Sequence, residues 1–202
     1  LSPPDIEKQE YGGSGLRERK KQETLQRLIE TGVKLFLANG YETTTVDAIA
    51  AAAGISRRTF FYYFKSKDDI LLSMQSSGFK IVCDAVAKSA SDLAPLDAVQ
   101  AAFVEACAPY LPDEMMILDR VMLSSESLRA RKQMAYMQQE QELLASLYRR
   151  WPDPAKRSSL RLVAMASMGA MRLAMEAWRE DGGKRPLTAL IVETFTALRT
   201  EI

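Results

Sequence analysis

A chain of 202 residues, 47% hydrophobic and 26% charged, can enclose a real core, so disorder throughout is excluded. The 27 Lys and Arg against 26 Asp and Glu leave a net charge of +1, which rules out a polycation that coats nucleic acid or membrane indiscriminately. The absence of His removes the commonest general base, the triad imidazole and the usual transition-metal ligand together, so no enzyme activity, metal or cofactor is expected.

Charge is unevenly spread. Between Leu16 and Lys67 ten Lys or Arg stand against five Asp or Glu, which favours DNA binding in the first third. Cys83 and Cys107 have no metal or disulfide pattern and read as reduced, small buried hydrophobes. No stretch is expected to reach the roughly 18 apolar residues of a membrane span, and no signal-peptide region appears near the start. A cytoplasmic protein with no membrane partner is expected.

Residues 1–15, with two prolines and a GGSG run, read as a mobile arm or an expression remnant. If native, Lys8 and the later basic residues could reach a minor groove. From Leu16 to Asn39, Leu25, Ile29, Val33, Phe36 and Leu37 form one helical stripe that Gly40 stops. Arg17, Arg19, Lys20 and Lys21 cluster at its start, either as a phosphate patch or as a solvated helix end.

Thr44 stands three residues before Asp47, a spacing that suits a capping pair for a short helix. Val46, Ile49, Ala50 and Ala53 recur on one face, and Gly54 ends it. Ser56 is a natural cap for a second short helix, whose opening residues Arg57, Arg58 and Thr59 would project from the end that enters a major groove. Phe60 and Phe64 share a core face, while Thr59 and Tyr63, and Arg57 and Phe61, share faces that look outward. Ser66 caps the next helix, with Asp68 and Asp69 in its first turn, so the Lys67 ammonium could hold a DNA phosphate.

That helix runs through Ile70, Leu71, Met74, Phe79, Val82 and Val86. Further helices are expected at 96–111, broken by Pro109 and Pro112, at 113–123, and from 124–127 to Trp151 with Met134, Met137, Gln141, Leu144 and Tyr148 inward. After Pro152–Pro154 the most apolar helix spans 155–181, and a last one begins at Pro186. No strands are expected. The last two helices are apolar on more than one face, so something beyond the chain's own core should cover them. All ten Met lie after residue 73, which suits either a pocket for apolar ligands or a packed core. Arg172 and Glu176, one turn apart in an apolar helix, are placed either to pair with each other or to orient a ligand head group. Phe103, Cys107, Met122, Tyr136, Met137 and Met168 complete the ligand-site candidates.

The run GISRRTFFYYFKSKDDIL, with TGVKLFLANGYETTTVDAIAAAAGI before it, resembles the DNA-reading segment of the TetR family of bacterial one-component regulators. The resemblance is strong from about Leu25 to Leu71 and architectural beyond. It implies an all-α protein of about nine helices: a three-helix helix-turn-helix domain at 16–67, then a helical ligand-binding and dimerisation domain at 68–202. It implies phosphate contacts by Thr45, Tyr63 and Lys67 and base contacts by Arg57, Arg58 and Thr59, with Thr44, Ser56, Phe61 and Tyr62 completing the DNA-facing set. Phe61 stands where the family usually has Tyr, which leaves van der Waals contact in place of a hydroxyl. Arg58 replaces a small residue and suggests an added guanine or phosphate contact. The implied function is a ligand-responsive homodimer, most simply a repressor released from a palindromic operator in double-stranded DNA by a small, largely apolar effector. A ligand-independent DNA-binding protein or an activator is the alternative. Met171, Met175, Trp178, Leu190, Phe195 and Leu198 are the expected dimer contacts, in a four-helix interface.

Overall fold

Where each helix starts and stops follows from local chemistry at its ends. The computed structural model describes residues 13–90, 92–124 and 126–201, and among these every regular element is helical. The elements are α1 (Gly13–Asn39), α2 (Val46–Ala52), α3 (Arg57–Tyr63), α4 (Asp68–Ala87), α5 (Pro95–Cys107), α6 (Pro112–Leu123), α7 (Glu126–Arg150), α8 (Arg157–Glu180) and α9 (Leu187–Glu201). A single 3-10 turn, Pro154–Lys156, precedes α8. Most of the expected arm, Lys8 included, lies outside the described residues. Its last three positions, 13–15, are already helical and belong to α1.

The chain divides into two compact units between Ile70 and Leu71, inside α4. In the first, Leu28, Ile29 and Phe36 of α1 pack with Ile49 of α2, Phe60 of α3 and Ile70 as the buried core. Gly32 makes that packing possible. A Cβ there would lie 2.6 Å from Ile70 Cδ1 and 3.0 Å from its Cγ2, so a larger residue would force the buried Ile70 side chain to shift.

In the second unit Phe103 of α5 bridges Phe79 of α4 and Phe195 of α9, each ring pair 6.2 Å apart between centroids. Val86, Leu143, Leu147, Leu160 and Trp178 close the same core. Two expected boundaries move. The α5 helix stops at Cys107, because Pro109 brings no amide to continue the ladder, and Pro112 opens α6 from its first turn. The α7 stripe is corrected: Met134 and Met137 are exposed, and the buried face is Leu128, Lys132, Gln139, Leu143, Ser146 and Leu147.

The expectation that no segment is long and apolar enough to span a membrane is also corrected. The 20-residue α4 contains an 18-residue window with a mean hydropathy of 1.2 and meets that test by length and composition. Five of its large apolar residues, Ile70, Leu71, Phe79, Val82 and Val86, are buried in the protein, while Ile81 is exposed.

Candidate nucleic-acid interface and ligand cavity

The corner between α2 and α3 is built from backbone hydrogen bonds that a glycine permits. Ile55 N–H donates to Ala50 O (3.0 Å) and Gly54 N–H to Ala51 O (3.1 Å), the paired bonds of a Schellman ending. Gly54 sits at φ 69°, where a Cβ would be strained. Ser56 then restarts the chain as a helix: its Oγ accepts from Thr59 N–H (3.0 Å) and shares a 2.8 Å hydrogen bond with the Thr59 hydroxyl. Buried Phe60 and Phe64, their ring centroids 5.7 Å apart, anchor the inner face of α3.

The outer face of α3 brings together Arg57, Arg58, Phe61 and Tyr62, all exposed, with Thr59 and Tyr63 half-buried beside them. Arg57 Nη1 donates to Asp47 Oδ2 of α2 at 2.7 Å, and its guanidinium lies 5.6 Å from the Phe61 ring centroid. Arg58 makes no ion pair among the described residues. Thr45 is exposed and caps α2, accepting from Ala48 N–H at 3.1 Å, so its hydroxyl proton remains available to an outside acceptor.

Three sequence expectations are corrected here. Thr44 does not cap α2 and does not face outward: it is 3% exposed, and its hydroxyl donates to Gly40 O (2.7 Å) and Leu35 O (3.2 Å), tying the loop to the end of α1. Lys67 does not present its ammonium outward either. Nζ donates to Tyr41 O (2.7 Å), Thr44 O (3.2 Å) and Glu42 O (3.4 Å) and lies 4.1 Å from the Tyr41 ring centroid. Three carbonyls match the three protons of an ammonium. The Tyr41 hydroxyl donates to Asp68, and Asp69 Oδ2 ties the chain ahead of α4 to its first turn by accepting from Lys65 and Ser66 N–H at 2.6 and 3.2 Å, while the expected Ser66 side-chain cap is not formed among the described residues.

In the second unit α4 to α8 line a partly open cavity of about 220 Å³. Six of the ten methionines line it. Of the ligand-site candidates, Phe103, Cys107, Met122, Tyr136 and Met168 stand in its wall, as do Met171 and Met175, which sequence reasoning placed in a dimer interface. Met137 does not: at 73% exposure it points away. Arg172 and Glu176 are exposed on another face of α8 and are removed from the cavity. The Cys107 thiol is pushed up to about 11 by burial, so it stays protonated and serves as apolar wall.

The charged residues of this wall were missed. Asp119 of α6 and Lys132 of α7 pair at 2.7 Å, both buried, and Arg179 Nη1 of α8 reaches the same carboxylate at 3.3 Å. The helical signal was present: Leu128, Lys132, Gln139 and Leu143 share one face of α7, but a stripe search restricted to apolar residues passes over Lys132 and Gln139.

Comparison with known proteins bears on both units. Residues 28–74 match the family described as bacterial regulatory proteins, tetR family, and residues 93–202, more than half of the chain, match the MftR C-terminal domain of tetR-type regulators. The chain belongs to the tetR family. The HTH-type transcriptional regulator TcmR of Streptomyces glaucescens is 41% identical over 91 residues, which are 45% of this chain and 40% of that protein. This tetR-family chain therefore matches less than half the length of that curated relative. Among solved structures, the fatty acid degradation regulator FadR from Bacillus halodurans aligns with a TM-score of 0.59 at 20% identity, covering 87% of this chain and 94% of that one. The Thermus thermophilus FadR repressor in complex with lauroyl-CoA aligns at 0.57 and 20% identity, covering 86% and 92%. At such identities the likeness is one of fold.

Three of the dimer contacts expected on α8 and α9 are corrected. Trp178 is 0% exposed, and Phe195 and Leu190 are also buried in the chain's own core. Leu198 is half-buried. The apolar residues α8 leaves outside are Leu162 (66% exposed), Met165 and Leu173 (56%), spaced so that they share one face with Gly169; Val192 is exposed on α9.

Proposed function

We propose that this tetR-family regulator is a ligand-responsive repressor that binds a palindromic operator as a homodimer and is released by a small, largely apolar effector. The observation that carries the reading is the partly open, methionine-rich cavity in the second unit of a chain whose first unit presents a basic, aromatic helix-turn-helix face. In this reading Arg57, Arg58 and Thr59 meet base edges. Thr45, Tyr62 and Tyr63 meet phosphates, and Phe61 supplies apolar contact to a thymine methyl. Lys67 holds the α1–α2 loop in place behind them. A second copy of the chain covers Leu162, Met165, Leu173 and Val192, which sets two reading helices on half-sites related by a two-fold axis.

Effector and DNA are linked in this reading through α4, which supplies Leu71, Met74, Gln75 and Phe79 to the cavity wall and Asp68 and Asp69 to the ordered start behind the reader. A ligand that favours one placement of α4 shifts the population between a DNA-competent and a DNA-incompetent spacing. The protein would work in the cytoplasm, as a regulator and not as a catalyst. Selection of bound fragments from random duplex DNA at about 150 mM salt tests the first half, since purely electrostatic binding is weak there. One palindrome should emerge, and an apolar ligand that binds in the cavity should also release the protein from it. Recovery of no preferred sequence from folded dimer would count against the reading.

A further inference from the structure

We infer that the cavity is built for an anionic amphiphile, a compact apolar molecule carrying one carboxylate, and that Lys132 is the group that selects its charge. This rests on the reading of the cavity as an effector site. The wall is apolar apart from one corner, and the only charged side chains in it among the described residues are Asp119 and Lys132. Their side chains are 6% and 10% exposed. Behind Asp119, Arg179 Nη1 approaches the same carboxylate at 3.3 Å to Oδ2 and 3.5 Å to Oδ1. Two cations thus share one anion, and the cluster carries a net positive charge in a low-dielectric setting.

The hydrogen-bond count agrees. The Lys132 ammonium has three donors and gives one, at 2.7 Å, to Asp119 Oδ1; no other partner exists for it among the described residues. A self-contained ion pair that merely ties α6 to α7 would need neither the second cation nor unspent donors beside an open space. A ligand carboxylate supplies the missing negative charge and accepts those protons, in the charge-assisted bonds that are strongest when dry. The neighbouring polar groups do not oppose it. Tyr136 brings a hydroxyl that can donate, and the Gln139 and Gln75 amides can each turn an N–H₂ to the ligand; Gln75 Oε1, as placed, is a buried acceptor with no donor. Methionine side chains of α4, α6 and α8 then enclose the apolar body.

The test is calorimetric titration of the full-length protein with matched alkyl carboxylates and alcohols, from hexanoate and hexanol to dodecanoate and dodecanol, at neutral pH. The carboxylate of the best-fitting pair should bind about tenfold tighter than its alcohol, the order expected of one charge-assisted contact. Lys132→Gln should bring that ratio close to one, and Lys132→Arg should keep it. Asp119→Asn, which removes the competing anion, should raise the ratio, and it decides the matter if Lys132→Gln does not fold. Alcohols that bind the wild-type protein as tightly as acids, or a ratio unchanged in Lys132→Gln, overturn the inference and leave the effector site standing. Failure of every acid and every alcohol to bind would instead remove the effector site itself, and the inference with it.

Discussion

Asp47 on α2 holds the Arg57 guanidinium of α3 at 2.7 Å, while the face of that guanidinium lies 5.6 Å from the Phe61 ring. Both partners of the ion pair are 62% exposed, so the pair adds little to stability. Its effect is orientation: the first basic side chain of α3 has one preferred direction before DNA arrives. Arg57→Ala should therefore cost operator affinity about tenfold to a hundredfold and relax preference at one base position, the range of a bidentate base contact. Asp47→Ala should move random-sequence affinity the other way, upward, because it removes an anion and frees a cation. Binding assays on operator and scrambled duplexes read both, and equal losses for Arg57→Ala on the two would end its base-reading role.

Lys67 is expected to matter for folding more than for DNA. Its ammonium donates to the carbonyls of Tyr41, Glu42 and Thr44, so Lys67→Met leaves three acceptors short of a donor. A loss of about 1.5 to 3 kcal/mol in unfolding free energy is expected, the usual size for hydrogen bonds to a charged group. Exposed Lys65→Met should change little. The slope of DNA affinity against salt should be the same for Lys67→Met and wild type; a slope smaller by about one unit would mean that Lys67 leaves its carbonyls for a phosphate in the complex.

Why some positions could be read from sequence and others could not follows from how local their causes are. Gly54 and Ser56 act on amides within a few residues, so their roles in ending α2 and starting α3 were visible in the order of residues alone. Phe60 and Phe64 were assigned inward by spacing, and they are buried. Thr44 and Thr45 were misread because both can cap, and the choice between them depends on where α1 ends in space: Leu35 O and Gly40 O take the Thr44 hydroxyl. The α7 face failed for a different reason. Its inner side carries Lys132, Gln139 and Ser146, polar groups that a hydrophobic period assigns to solvent, and the nearby Met134 and Met137 offered a more apolar stripe that is in fact outside. On α8 and α9 two apolar faces competed. The bulkier Trp178 and Phe195 fill the core, where they bury the most surface, and leave Leu162 and Leu173 out.

That division of α8 gives a paired expectation for assembly. Leu173→Glu places a charge on the exposed face and should leave a folded monomer, with helical content and melting temperature close to those of a wild-type subunit at low concentration. Trp178→Ala empties a fully buried site and should destabilise the fold by about 3 to 5 kcal/mol. Sedimentation of the two variants beside circular dichroism separates the effects. A dimeric Leu173→Glu protein would move the interface away from this face.

The cavity wall also sets a pH dependence. Burial raises the Cys107 thiol from its ordinary 9.0 to about 11, so the folded state holds this proton after the unfolded chain has released it. Below pH about 9 both states are protonated and the thiol does not alter stability with pH. Between about 9 and 11 the unfolded state binds fewer protons, and stability should fall, by roughly 2 to 3 kcal/mol once the folded thiol also ionises. Burial raises Cys83 in the same direction, against a hydrogen bond from Ser146 that lowers it, so the two thiols act together. Denaturant unfolding of wild type and Cys107→Ala across this range is the check: the variant should show the shallower decline. Alkylation follows the same logic, because iodoacetamide needs the thiolate. Cys107 should resist it at pH 8 in the folded protein and react readily in urea, and rapid labelling at pH 8 without denaturant would show that the thiol is far better hydrated than its burial implies.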